Sequence, residues 1–126
     1  MRYFLGVDIG TGGCKCVAMD PDGAVAAVAS VEYSPIARAD GTSEQDPDQW
    51  YQAVRSCLAE MATRGGIDPG LIFAVGVTGQ MQGVTVVRAD GSPARNSILW
   101  NDTRASAQAR MLNERYGDRF VERIRF

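Results

Sequence analysis

Apolar and polar residues alternate with a period of two along the first third of the chain. The alternation predicts strands at residues 3–8, 14–19 and 24–33. A glycine-rich turn at residues 9–13 separates the first two strands, and a Pro-Asp-Gly turn at residues 20–23 separates the next two. Since both connections are short, the three strands are expected to form an antiparallel meander.

A helical pattern follows a polar stretch, residues 34–45, whose composition is typical of a loop. Asp46 stands at the capping position, Pro47 at the first helical position, and Gln49 can complete a capping box. Apolar residues then recur at spacings of three and four until the glycine pair 65–66; they are Trp50, Val54, Cys57, Leu58 and Met61. The pattern predicts one amphipathic helix that packs its apolar side on the sheet.

The second half of the chain begins with a continuous apolar run at residues 71–77. Such a run predicts a strand that is buried on both faces. Shorter runs at residues 84–87 and 98–99 predict two more strands. A second helix is expected after Thr103, which would cap it, and should end near Gly117.

The order of these elements predicts the fold class. Three strands, a helix and a further strand come first, and more strands and helices follow, including a short helical piece capped by Asp118. This order is typical of an α/β fold with a mixed sheet and flanking helices. The length of 126 residues corresponds to one domain or to part of a larger one.

Charge and hydropathy exclude several classes of partner. The 13 basic and 15 acidic residues give a net charge of −2, and the arginines are dispersed along the chain. A nucleic-acid partner or an anionic membrane is therefore not expected. Apolar runs fall far short of the ~20 residues of a spanning helix, and the N-terminus lacks the pattern of a signal peptide.

The chain contains three cysteines and no histidine. An odd number of cysteines without a secretion signal favours a reducing, cytoplasmic location. Cys14 and Cys16 alternate with Ala18, which indicates one buried strand face rather than a zinc site, because a zinc site needs about four ligands. Without histidine, a general base must be a carboxylate or must lie outside this chain.

The glycine-rich turn does not match the two most familiar phosphate motifs. A Walker A loop needs adjacent Gly-Lys-Ser/Thr, but here Cys16 occupies the hydroxyl position, and a dinucleotide fingerprint would have glycine where Lys15 stands. Both motifs also lead directly into a helix, whereas residues 14–19 alternate like a strand. The glycines are therefore expected at the tip of a β-hairpin.

A glycine hairpin tip can still bind an anion. Backbone N–H groups of residues 10–13 can form a concave anion site, to which Thr11 adds a hydroxyl and Lys15 a positive charge. Asp8 would repel a bare phosphate and fits beside one only when Mg²⁺ lies between them. A plain hairpin with a solvated Asp and Lys is the alternative.

The pattern Asp8-x-Gly10-Thr11-x-x-x-Lys15 resembles the first phosphate loop of the actin, hexokinase and Hsp70 ATPase superfamily. Further features narrow the resemblance to the FGGY carbohydrate kinases and, within them, to the xylulokinase-like group. These features are Ser43-Glu44-Gln45-Asp46-Pro47 before a Trp-bearing helix, Gly76-x-Thr78-Gly79-Gln80-Met81, Gly83, and Trp100-Asn101-Asp102-x-Arg104. They occur in the order and rough spacing of the family, over essentially the whole chain.

The resemblance implies a fold and an activity. The fold would be RNase-H-like, and residues 1–126 would be the N-terminal part of the first of two domains, with the catalytic base and adenosine site beyond them. The activity would be ATP-dependent phosphorylation of a sugar hydroxyl, with D-xylulose as the first expectation and no turnover by this chain alone. The truncated sheet predicts an unpaired edge or apolar face and thus either self-association, for example as a homodimer, or poor folding.

Three other functions remain as alternatives. One is an FGGY kinase for another sugar, polyol or sugar acid, and a second is a superfamily ATPase that couples nucleotide state to partner binding. The third is a natural short protein that only binds sugar.

The resemblance also implies roles for particular residues. Asp8 would hold Mg²⁺ as part of the catalytic machinery. Residues expected to face the ATP phosphates are Gly10, Thr11, Gly12 and Lys15. Residues expected on the sugar side are Met81, Gln82, Trp100, Asn101, Asp102 and Arg104. Xylulokinases usually carry His where this chain has Gln82, which leaves the sugar open, and Asp102 is either a sugar ligand or half of a structural pair with Arg104.

Overall fold

A computed structural model describes residues 2–117 and residue 119. The strands are β1 (Tyr3–Ile9), β2 (Gly13–Met19), β3 (Val25–Glu32), β4 (Ile36–Ala37), β5 (Ser43–Gln45), β6 (Ile72–Gly79) and β7 (Ser97–Ile98). The helices are α1 (Pro47–Thr63) and α2 (Ser106–Tyr116), with one 3₁₀ turn at Pro69–Leu71. Among the residues described, neither helix has the length and apolar character that crossing a bilayer requires.

The main sheet is mixed, as the sequence predicts. Its strand order is β3-β2-β1-β6; β1, β2 and β3 form an antiparallel meander, and β6 runs parallel to β1. A parallel neighbour requires a crossover, and α1 lies in the connection between β3 and β6. The α/β class with a mixed sheet is confirmed.

The predicted helix start at Asp46 is also confirmed. Its carboxylate accepts a hydrogen bond from the N–H of Asp48 at 3.0 Å, and Pro47 begins α1. The helix packs mainly on β2 and β3, and the residues that it buries are Ala53, Cys57 and Met61. The local capping signal and the apolar spacing therefore define both the start of α1 and its contact face.

The core lies between α1 and the meander, and all three cysteines belong to it. Cys14 and Cys16 point inward from β2, Cys57 points inward from α1, and each is at most 1% exposed. Their sulfur atoms all lie within 4.8 Å of one another. The expectation that the cysteines are core residues is confirmed, although the third sulfur at the same place was not anticipated from the Cys14-x-Cys16 spacing.

Strand β6 is exposed, which corrects the prediction of a strand buried on both faces. Val75 is 57% and Val77 68% exposed, although they pair with the buried residues Leu5 and Val7 of β1. Because α1 covers β1–β3, none of the elements that the structure describes buries β6. The predicted unpaired edge and apolar face are therefore both present, at the end of the four-stranded sheet.

The loops hold a second sheet that the sequence did not predict. Residues 34–45, expected to be a loop, contribute β4 and β5, which join β7 in the order β4-β5-β7. The strand expected at residues 84–87 is absent; two isolated bridges, Val84 to Ile98 and Val87 to Pro93, replace it. Each of these pairings involves at most three residues of a strand, so local alternation does not indicate them.

The start of the second helix is another correction. Helix α2 begins at Ser106, and its N-cap is Ala105, without a side-chain capping bond, rather than Thr103. The carbonyl of Thr103 accepts bonds from the N–H and hydroxyl of Ser106, which makes a turn ahead of the helix. The predicted end near Gly117 is confirmed, and the piece expected at Asp118 lies outside the described residues.

Candidate functional site

Two loops leave the sheet side by side where the parallel strands β1 and β6 end. The last pair in their register is Ile9 with Gly79, and the N–H of Gln80 donates to the carbonyl of Ile9 at 2.9 Å. The glycine turn after β1 and the loop at residues 80–83 after β6 are thereby held together. The carboxyl ends of strands in α/β sheets are where ligands are expected to bind.

The glycines of the turn serve close packing rather than unusual backbone angles, since none of those at positions 10, 12 and 13 has a positive φ. A Cβ atom on Gly13 would lie 2.7 Å from the carbonyl oxygen of Val31, whereas one on Gly12 would have no atom within 4 Å. Gly13 therefore allows β3 to approach the turn, and Gly12 leaves an open side. Such an open side admits a ligand close to the backbone.

Hydrogen bonds fix the shape of this turn. The N–H of Gly10 donates to the carbonyl of Gly13 at 2.9 Å, and the hydroxyl of Tyr33 donates to the carbonyl of Gly10 at 2.8 Å. Burial raises the pKa of Tyr33 to about 12, so it remains a donor at neutral pH. The Gly10 N–H is thus already used, and the N–H groups of Thr11 and Gly12 are the ones available for an anion.

A cavity of about 360 Å³ opens between the two loops. This volume is within the usual range for small-molecule sites. Its lining residues are Asp8, Gly10, Thr11, Gly79, Gln80, Met81, Gln82 and Trp100. Acidic, amide, hydroxyl and aromatic groups thus face the same space, which is a combination that can bind a polar ligand with apolar faces.

Two features of the lining suit a ligand site. Met81 is 78% and Trp100 58% exposed, so both present apolar surface at the cavity. Gln82 is the only residue other than glycine with a positive φ, +64°, in the part of the chain that the structure describes. A non-glycine residue in this region carries backbone strain, and such strain is concentrated at functional sites.

A buried amide, Gln45, connects the two loops. It is 0% exposed; its Nε2 donates to the carbonyl of Thr11 at 2.7 Å, and its Oε1 accepts from the Nε2 of Gln80 at 2.9 Å and from the indole N–H of Trp50 at 3.0 Å. Because an indole N–H can only donate, Trp50 fixes which end of the amide faces it. The orientation of Gln45 is therefore determined by α1.

The same network closes through Thr11. Its hydroxyl donates to the Oε1 of Gln80 at 3.0 Å and accepts from the indole N–H of Trp100 at 3.1 Å. We call these five residues, Gln45, Thr11, Gln80, Trp50 and Trp100, the Gln45 network. It ties the glycine turn after β1, the loop after β6 and the cavity wall to helix α1.

An ion-pair cluster stands beside this network. Arg104 contacts Asp102 and Glu44, each at 2.7 Å, and Arg95 contacts Glu44 at 2.5 Å. The carboxylate of Asp102 also accepts from the N–H of Ser43 at 2.7 Å. The hydrogen bonds from Arg104 lower the pKa of both Asp102 and Glu44. The same bonds to the two carboxylates raise the pKa of Arg104. This arrangement supports the structural alternative for Asp102, as a partner of Arg104.

The predicted site residues divide into three groups. Those that line the cavity together are Asp8, Gly10, Thr11, Met81, Gln82 and Trp100. Lys15 lines a separate hollow of about 340 Å³, to which Asp8 also contributes. Gly12 follows the lining residue Thr11 in the turn but is not itself part of the lining. Asn101 is exposed, and Asp102 and Arg104 lie in the ion-pair cluster, so these three are not among the cavity's lining.

Sequence reasoning missed Gln45 and Gln80 as site residues. Both stand inside stretches that carry the family resemblance, at residues 43–47 and 76–81, but neither is among the individual residues expected on the phosphate or sugar side. For Gln45 the available signal was weak, because a polar residue next to a helix cap is ordinarily exposed. Their contact across 35 sequence positions appears only in the fold.

Comparisons with known proteins agree over nearly the whole chain. The sequence model of the FGGY family of carbohydrate kinases, N-terminal domain, matches residues 3–125. The xylulose kinase of Bacillus subtilis is 34% identical over 122 residues, which are 97% of this chain and 24% of that protein. The chain thus spans about a quarter of the length of the curated relatives it matches.

Solved structures give the same picture. The ligand-bound xylulose kinase from Lactobacillus acidophilus superposes with a TM-score of 0.86 at 28% identity, over 98% of this chain and 24% of that one. The gluconate kinase from the same organism superposes with a TM-score of 0.86 at 29% identity, over 97% and 24%. The family match over residues 3–125 and these fold similarities show that the chain belongs to the FGGY family of carbohydrate kinases.

Proposed function

We propose that this chain is the N-terminal part of an ATP-dependent carbohydrate kinase that phosphorylates a hydroxyl group of a small sugar in the cytoplasm, with D-xylulose as the first candidate. The observation that carries the proposal is the cavity at the ends of β1 and β6, where Asp8, Thr11, Gln82 and Trp100 face one space. The names of the relatives, which include xylulose kinases and a gluconate kinase, support the class of substrate.

The residues present fit ATP phosphates and Mg²⁺. Mg²⁺ is usually bound by one or two carboxylates together with water and phosphate oxygens, and Asp8 offers an exposed carboxylate at the cavity. The N–H groups of Thr11 and Gly12 offer donors, and the open side of Gly12 gives space for a phosphate. Asp8 would hold the ion, which would supply positive charge to stabilise the phosphate oxygens during transfer.

The contribution of this chain is positioning. Phosphoryl transfer depends mainly on alignment and charge stabilisation, and the Gln45 network holds the turn and the sugar-side loop in one arrangement. Trp100 would cover an apolar face of the sugar, and Gln82 would offer both a donor and an acceptor to hydroxyl groups. Asp8 is the only carboxylate in the cavity lining among the described residues, so a separate general base would come from outside them.

The experiment is a coupled assay of ATP consumption with the complete enzyme that contains this chain. Asp8→Asn should lower turnover with saturating D-xylulose and Mg²⁺-ATP by about a hundredfold or more, with little change in sugar affinity. The 126-residue chain alone should show no sugar-dependent ATP consumption. Near-normal turnover by the Asp8→Asn enzyme would contradict the phosphate-side assignment.

The finer question is which sugar is preferred, and substitutions of Gln82 test it. If its amide binds a sugar hydroxyl, Gln82→Ala should change the preference between sugars by roughly tenfold to hundredfold, because a polar group of the ligand loses its partner. Gln82→His should move the preference toward D-xylulose if another sugar is the natural substrate. A panel of ketoses, polyols and sugar acids gives kcat/KM for each variant, and an unchanged ranking with Gln82→Ala would show that the side chain does not contact the sugar.

A further inference from the structure

Three cysteine sulfurs from two elements meet in the core, apart from the cavity. Cys14 and Cys16 occupy alternate positions of β2, Cys57 lies on α1, and the three Sγ atoms are within 4.8 Å of one another. The thiol of Cys57 donates to the carbonyl of Cys14 at 3.7 Å. The chain has no other cysteine, so all of its thiols are at this one place.

We propose that this three-cysteine cluster is a binding site for a trivalent thiophilic metalloid, of which arsenite is the simplest probe. The proposal goes beyond the kinase function and does not depend on it. None of the three cysteines lines the cavity at the ends of β1 and β6.

The number of ligands points to a three-coordinate centre. Among the residues that the structure describes, the group of ligating side chains consists of the three sulfurs alone. Structural zinc is almost always bound by four ligands, so the cluster is one short for zinc. A trivalent arsenic atom forms three bonds to sulfur and keeps a lone pair, and it therefore needs no fourth ligand.

Charge leads to the same choice. Three thiolates around a monovalent ion leave a net charge of −2, and around a divalent ion −1, whereas a trivalent centre makes the complex neutral. The cysteines are 0–1% exposed, and an uncompensated charge in such a place is costly because it loses its hydration. The buried cluster therefore favours a trivalent centre over zinc or copper(I).

The distances require only a small adjustment. Three sulfurs bonded to one centre at about 2.3 Å, the length of a zinc–sulfur bond, lie roughly 3.4–4.0 Å apart. The sulfurs are already within 4.8 Å of one another, so a shift of roughly 1 Å brings them into range. Small rotations of the cysteine side chains can supply that shift.

The reaction is balanced without an oxidant or reductant. Arsenous acid, As(OH)₃, reacts with three thiols; three As–O bonds break, three As–S bonds form, and each thiol proton leaves with a hydroxide as water. Each of the three cysteines is a free thiol and supplies one of these protons. Because the thiols are buried, access requires local opening of α1, and long incubations are needed.

The test uses the 126-residue chain with sodium arsenite and a phosphine reductant. Intact mass measured under native conditions should increase by one arsenic atom less three hydrogen atoms. Because the cluster is assembled only in the folded state, arsenite should raise the Tm measured by circular dichroism. A lower Tm would mean that arsenite prefers the unfolded chain, and it would overturn the proposal, as would the absence of any mass increase.

Two variants and one competing ion complete the design. Cys57→Ala and Cys16→Ala each leave two thiols, and either one should weaken arsenite binding at least about tenfold and abolish the increase in Tm. Retention of the full increase in Tm by either variant would refute a three-sulfur site. Zn²⁺ should raise the Tm less than arsenite at the same concentration, and an equal or larger effect of Zn²⁺ would refute the charge argument.

Discussion

Replacing Gln45 by methionine should destabilise the chain more than the small difference in size between the two side chains suggests. Methionine has a similar length but cannot replace the three hydrogen bonds that Gln45 makes to Thr11, Gln80 and Trp50. An unsatisfied buried partner costs about 1–3 kcal/mol. The three partners are only half-buried, so water can reach them in part, and we expect a total loss of about 2–4 kcal/mol.

This loss is measurable by urea unfolding. With a slope of about 2 kcal/mol per molar, the midpoint should fall by roughly 1–2 M. The matched control is Gln49→Met, the same change at a nearby exposed position in the first turn of α1, for which we expect a change within about 0.5 kcal/mol. If the free energies of unfolding of the Gln45→Met and Gln49→Met variants agree within about 0.5 kcal/mol, the Gln45 network does not stabilise the fold and the reasoning fails.

Three further predictions concern the turn, the ion pairs and the exposed strand. Gly13→Ala should lower the free energy of unfolding by about 1–3 kcal/mol because its Cβ would meet a backbone oxygen at 2.7 Å, whereas Gly12→Ala should be nearly neutral; equal effects in thermal melts would contradict this. Because the pKa of Asp102 is lowered in the folded state, its stabilisation is present above about pH 4 and is lost as the pH falls toward the folded value. Asp102→Asn should therefore flatten the acid limb of stability against pH, unlike the same change at exposed Asp22, and an unchanged limb would argue against the Arg104 pair. The chain should self-associate through β6, and Val75→Thr with Val77→Thr should reduce the apparent mass at high concentration in sedimentation; an unchanged mass would exclude β6 as the contact.

Local signals were sufficient for the meander and for α1. Alternation with turn residues defines β1–β3, and Asp46 with Pro47 defines the start of α1, because each of these signals acts within a few residues. The short strands β4, β5 and β7 have two or three residues each, and β5 pairs with β7 across more than 50 positions, as Glu44 does with Ile98. No periodicity can develop over such lengths, so β4 and β5 were not predicted, whereas β7 overlaps the strand that the apolar pair at residues 98–99 had predicted.

The candidate site was predictable only in part for a related reason. Asp8 and the glycine turn could be predicted to lie at a site because their pattern is contiguous in the sequence, and both line the cavity. Gln45 could not, because in β5 the inward residues are Ser43 and Gln45, and hydrophobicity does not reveal a polar side chain that is buried. The prediction that β6 is buried was wrong for a third reason. A sequence pattern indicates which faces of a strand can be covered but not which element covers them.

The Gln45 network has an optical consequence. The chain contains only two tryptophans, and the indole N–H of each donates into this network, Trp50 to Gln45 and Trp100 to Thr11. Trp100 is largely exposed at the cavity and should emit at longer wavelength than half-buried Trp50. All of the intrinsic tryptophan fluorescence therefore arises at the candidate site, and ligand titrations can be followed without a label. In a Trp50→Phe variant the remaining emission comes from Trp100 at the cavity wall.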